Sequence, residues 1–179
     1  MYDPSALATR AALPYAFRLG AIMSEIHRIL DQMDRAFSGN AWHGPPLMHL
    51  LDGISAEDAS KHVVPGAHSV WELVHHVGAW HSIVQHRLQG ETVEVTAERD
   101  WPPVWEVSEP AWKRALESLF ESRVRLRQAA AALRDDQLDE KIGATDVSRY
   151  QILHGVIQHD LYHAGQIALL RKALGLTAG

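Results

Sequence analysis

The stretch HGVIQHDLYHAGQIALLRKAL, residues 154–174, decides how this chain is read. Its apolar residues recur with the spacing of an amphipathic helix, not with the alternation of a strand. On a wheel of about 100° per residue set at Ile152, Leu170 returns to about 0°, Val156 and Leu174 to about 40°, and Ile167 to about 60°. His159 falls at about 340° and His163 at about 20°, inside the same stripe and one turn apart. Burying two imidazoles without partners costs about 1–3 kcal/mol for each unsatisfied group. Either each ring finds its own partner in the core, or both point at one shared ion, for which His-x3-His is a known spacing. Asp160 stands where the zinc-protease pattern His-Glu-x-x-His has its glutamate, so that chemistry is not indicated. At about 80°, on the stripe's edge, Asp160 is either an outer acceptor for a ligand or a solvated side chain.

Three more helices precede this one. From Pro14 to Phe37, Ile22, Ile26, Ile29, Leu30, Met33 and Phe37 follow the same helical spacing, and Ser38-Gly39-Asn40 ends the run. Ser69 with Glu72 forms a capping box that opens a second helix, expected to run to about Leu88 and stop at Gly90. Ser108, followed by Glu109-Pro110, caps a third, with Trp112, Leu116, Leu119, Phe120, Leu126 and Leu133 on its core face. The fourth is expected from about Tyr150 to Leu174 and ends at Gly175. Four long helices and no credible strand predict an all-α four-helix bundle, a single domain over 1–179. The connection between the first two helices, residues 40–67, is rich in Gly and Pro. It reads as a long loop with one or two helical turns such as SAEDASKH, and loops of this length are commonly functional.

Composition bounds the function. The chain has 179 residues, 17 Lys+Arg against 22 Asp+Glu, a net charge of −5, and 46% hydrophobic residues. That is ordinary globular composition, and no basic stripe suits a nucleic acid. The opening MYDPSALATRAALPYAF lacks the pattern of a secretory signal, and no apolar run reaches a membrane span, so the expectation is a soluble cytoplasmic protein. There are no cysteines and 12 histidines. Any metal would therefore be held by N and O atoms, and any thiol chemistry would need an external thiol.

The second helix, counted with His68 at its opening, carries five of the histidines. Counted from Val70, its apolar residues cluster between about 280° and 40°. His75 at about 140° and His86 at about 160° fall on the opposite face and are expected to be solvated. His76 at about 240° and His81 at about 20° both remain open as a third metal ligand, since a catalytic zinc commonly has three protein ligands and an open position.

SVWELVHHVGAW (69–80) together with HGVIQHDLYHAGQIALL (154–170) resembles the DinB-like, YfiT-type metalloprotein family. AWHGPPL (41–47) and the DWPPV loop (100–104) are similar to a branch of it. The resemblance spans essentially the whole chain. Its best motif is His-x3-His followed by Gly-Gln-Ile, with one upstream His in a Trp-Glu-Leu-x-x-His context. Carried over by position, it implies His76, His159 and His163 as ligands of a divalent metal, zinc or nickel, in a four-helix bundle that is often a homodimer. It also implies a metal-dependent transferase or isomerase using a low-molecular-weight thiol such as bacillithiol, mycothiol or glutathione on a small-molecule substrate.

Three neutral histidines with an open position also suit a metal-dependent hydrolase, and a non-catalytic metal-binding bundle is the third alternative. His43, in the first connection, is a candidate catalytic proton acceptor over the metal, or else a ring packed beside Trp42. Trp101, Trp105 and Trp112 either wall a substrate pocket or cover the bundle end or an interface. Gln166 lies near His163 on the wheel and is placed to bond a ligand or a helix neighbour. The mouth of the site is expected between Trp42-His43 and the Trp-rich loop.

Overall fold

The computed structural model describes residues 23–176. The expected start of the first helix at Pro14 lies outside them. Seven α-helices follow in order: α1 Glu25–Phe37, α2 Leu47–Leu51, α3 Ala56–Ser60, α4 Val70–Leu88, α5 Ala97–Asp100, α6 Glu109–Ala131 and α7 Arg149–Ala173. The long ones, α1, α4, α6 and α7, are the four helices of the bundle, and among the described residues there is no strand, only an isolated bridge between Lys141 and Ser148.

Side-chain caps open α4, α6 and α7, the first two where the sequence places them. Ser69 and Glu72 form a reciprocal capping box at the start of α4, and Ser148 with Gln151 forms another at the start of α7. Ser108 caps α6 through the N–H of Ala111. Each satisfies backbone donors that a helix start leaves without partners.

The long first connection is fastened to the bundle. Glu109 accepts the backbone N–H of Ala56 at 2.8 Å, so the start of α6 caps α3. Arg171 of α7 donates to the carbonyls of Leu50 (2.8 Å) and Asp52 (2.6 Å), holding the end of α2. Trp112 is buried and donates to the carbonyl of Ile54 at 2.8 Å. It is a core residue that fixes this connection and also borders a surface depression with His49 and Leu116.

Two apolar clusters fill the bundle. One gathers Leu47, Leu51, Trp71, Val74, Trp112 and Ile167 toward the α2–α3 end. The other gathers Ile29, Met33, Val84, Leu126, Leu153 and Val156. Between them lies a polar layer built from His81 of α4, Ser122 and Arg123 of α6, and Asp160 of α7, all buried.

Candidate metal centre

His159 and His163 leave α7 one turn apart, and His76 comes from α4, which packs against α7. One ring nitrogen from each of the three lies within 4.8 Å of the others. Nε2 of His159 is 3.0 Å from Nε2 of His76, and the ring centroids of His159 and His163 are 4.4 Å apart. Ligands at about 2.0–2.1 Å from a tetrahedral metal are spaced by about 3.3 Å, so small ring rotations would seat one ion.

The outward nitrogens support the same orientation. Nδ1–H of His76 donates to the carbonyl of Asp100 at 2.6 Å, and Nδ1–H of His163 donates to Oε1 of Gln166 at 2.7 Å. A ring whose Nδ1 carries the proton presents a lone pair on Nε2, the arrangement of metal-binding histidines. His159 differs: its buried Nδ1 has no partner. Burial pushes the pKa of all three rings down, that of His159 to about 4 with the neighbouring His163 adding to the effect. The neutral imidazole that metals require is thus the form the site holds near pH 7. Among the described residues the cluster offers three ligand atoms, so a tetrahedral ion held there would keep a fourth position open.

The wheel left His76 and His81 open, and the structure separates them. His81 is fully buried, with Nε2 at 2.9 Å from Oδ1 of Asp160 and Nδ1 at 3.3 Å from the Ser122 hydroxyl. Asp160 is buried too, not solvated, and its carboxylate belongs to His81 and not to the trio. His75 corrects another expectation: it is half-buried, accepting from the Trp71 indole at 3.0 Å and donating to the carbonyl of Pro102 at 3.1 Å. The chain after α5 crosses the face that the wheel assigned to solvent. His86 stays at the surface, beside Glu91.

Trp42 and His43 do not frame the site. Both are exposed and line a depression with Asp31, Arg35, Ile157 and Leu161, on the side of α7 that meets α1. The loop leaving α1 is held there because Arg35 donates to the carbonyl of Asn40 at 3.1 Å. Trp105 is 90% exposed, whereas Trp101 covers the trio. Its ring stacks on His76 at 3.9 Å and on His68 at 3.6 Å. The residue that sequence reasoning missed is Asp100. Besides its carbonyl on His76, its carboxylate accepts the Trp80 indole N–H at 2.7 Å. Helix α5 is only four residues long, too short for periodicity to reveal, and its one sequence signal is Thr96 as N-cap.

Two cavities reach the trio. One, of about 450 Å³, includes His68, Leu73, Trp101, Tyr162, His163 and Gln166 in its wall. The other, of about 350 Å³, runs from His159 and Trp80 past Val84 and Val156 to Arg87 and Gln151. From the level of the cluster they extend in opposite directions along α4 and α7.

Residues 43–167 match the model of the DinB superfamily, which is more than half of the chain, so the chain belongs to that superfamily. Neither a search of curated proteins nor a search of solved structures finds a significant match. Among the described residues no helix is long and apolar enough to cross a membrane.

Proposed function

We propose that this chain binds one divalent cation, zinc or nickel, through His76, His159 and His163, and transfers a low-molecular-weight thiol to a second small molecule. The observation that carries the reading is the pair of cavities that meet at one histidine cluster. A group transfer needs two organic partners at one reacting point, whereas hydrolysis needs one pocket and water. A cation held there would acidify the bound thiol and supply a thiolate at neutral pH.

The chain's own residues do the rest. Gln166 and Asp100 fix the rings of His163 and His76. Trp101, stacked flat on His76, shields the cluster from water on that side. The cavity at His163, with Gln166, His68 and the Tyr162 ring in its wall, suits a polar thiol. The apolar cavity at His159 suits the electrophile. The sulfur forms the new bond to the electrophilic atom. The pair of the bond that breaks leaves with its group, and the thiol's proton passes to solvent. No cysteine of the protein competes, since the chain has none.

The test is turnover of a chlorodinitrobenzene by the metal-loaded chain with a panel of low-molecular-weight thiols. Thiol-dependent turnover that disappears on chelation and in His163→Ala is the expected result. Hydrolysis of an ester without added thiol would replace this reading with the hydrolase. An ion with four protein ligands and no turnover would replace it with a structural site.

A further inference from the structure

The cavity beside His159 has a composition of its own. Val84, Ile142, Val147, Ile152 and Val156 make its body apolar, and its volume of about 350 Å³ lies in the range of small-ligand pockets. Among the described residues the single Lys or Arg in its wall is Arg87, which is half-buried. Its guanidinium lies 5.9 Å from the centre of the Trp80 ring, and that ring is 5.6 Å from the ring of His159. Its hydrogen bond is a long one, 3.4 Å, to the carbonyl of Val93, and it pairs with no carboxylate among the described residues. A guanidinium beside an apolar cavity, with donors to spare, is a seat for a planar anion, above all a carboxylate.

Gly155 adds a second, independent observation. It lies in the wall of this cavity, within α7, where glycine weakens a helix relative to alanine. A Cβ there would meet nothing within 4 Å, so no close helix approach demands the glycine. What the missing side chain leaves is open volume in the cavity.

We propose that this cavity binds an elongated apolar monocarboxylate, its acid on Arg87 and its other end at the histidine cluster. The inference rests on the reading of that cluster as a reaction centre, and it names the chemical class of the partner that meets the thiol. The guanidinium of Arg87 reaches back along α4 to 5.9 Å from the Trp80 ring centre, and that ring lies between it and His159, 5.6 Å from the imidazole. A ligand that passes this ring to reach from Arg87 to His159 is a chain or aryl-alkyl body of several carbons, with the reactive position at the end away from its acid.

Octanoate and octanamide are the probes, titrated by calorimetry into the full chain as purified, with its ion content measured alongside. Octanoate is expected to bind about tenfold or more tighter than octanamide, because a charge-assisted bond to Arg87 is lost in the amide. Arg87→Gln should bring the two ligands level. Gly155→Leu should fill the cavity and abolish octanoate binding, with a melting temperature equal to or above that of the parent. An acid preference that survives in Arg87→Gln would place the carboxylate at the ion and overturn the proposal. So would unchanged binding in Gly155→Leu, or no binding of either probe by the parent chain. A chain that shows the Arg87-dependent preference but no thiol turnover would leave this inference standing and remove the transferase reading instead.

Discussion

Nε2 of His81 lies 2.9 Å from Oδ1 and 3.1 Å from Oδ2 of Asp160, and both side chains are buried at the centre of the bundle. Asp160 is the chain neighbour of His159, about 100° further round α7, and it too reaches α4. One helix therefore serves two polar sites: His159 and His163 face α4 at His76, and Asp160 faces His81. Arg123 belongs to the second site. Its guanidinium feels the charges of Asp160 and Asp34, and its Nη2 donates to Asp34 at 3.2 Å. The polar layer ties α1, α4, α6 and α7 together between two apolar clusters.

Asp160→Ala should therefore act on stability rather than on metal content. It leaves His81 without an acceptor and Arg123 without one of its opposing charges. Breaking a buried pair in this way costs about 3–5 kcal/mol. Asp160→Asn keeps an acceptor and should cost less, about 1–3 kcal/mol. Urea denaturation of both variants in chelator, beside metal analysis of the native proteins, checks this. A lost ion with unchanged chelator-state stability would assign Asp160 to the metal site.

The ion itself gives the next expectation. Elemental analysis of protein prepared without a nickel column should find about one divalent ion per chain. A ligand that binds only the folded chain stabilises it by about 2.7 kcal/mol at a hundredfold excess over Kd, so chelation should lower the melting temperature. His159→Ala should remove most of that shift. His75→Ala should lower stability on its own account, through the lost bonds to Trp71 and Pro102, and keep the metal-dependent shift. Equal metal-dependent shifts in the two variants would reject the assigned ligands.

Much of this was legible because helix periodicity is a local property. The spacing of apolar residues located α4, α6 and α7, and it put His159 and His163 on one stripe. It could not separate His76 from His81, because both sit at the stripe of one helix and only the neighbouring helices differ. His81 meets Asp160 of α7 and Ser122 of α6, while His76 meets the carbonyl of Asp100. The motif resemblance, not the wheel, chose His76. The loops were the blind spot. Nothing local told that the chain after α5 crosses the His75 face, or that Trp42 and His43 lie beside α1.

Trp101 should matter to the site and Trp105 should not. Trp101 stacks on His76 with the rings 9° from parallel, whereas Trp105 is 90% exposed. An aromatic pair adds about 0.5–1.5 kcal/mol beyond the area it covers. Trp101→Ala should lower stability by about that much or more. It should also weaken metal affinity, by about 10–100-fold if it acts as partners outside the ligand set commonly do. Competition against a chromophoric chelator reads the affinity. Matching values for Trp101→Ala and Trp105→Ala would show that the stack does not hold the ring of His76.

The last expectation concerns acid and the docking of α1. Asp135 accepts the backbone N–H of Glu25 at 2.8 Å and of Ile26 at 3.0 Å, so a residue far along the chain caps the start of α1. These two bonds, that of Ile26 first, hold its carboxyl below the ordinary value of 3.8. A folded-state pKa below the unfolded one means that the carboxylate stabilises the fold above the unfolded value. That contribution is lost as pH falls through the folded one. Asp135→Asn removes the titrating group and weakens the cap at neutral pH. The parent should thus have the higher urea midpoint at pH 6, and the gap should close as pH falls from about 4 toward 2. Both proteins carry the same remaining carboxylates, so their general acid sensitivity cancels in the difference. A gap that stays constant over this range would mean that Asp135 caps α1 without its charge contributing.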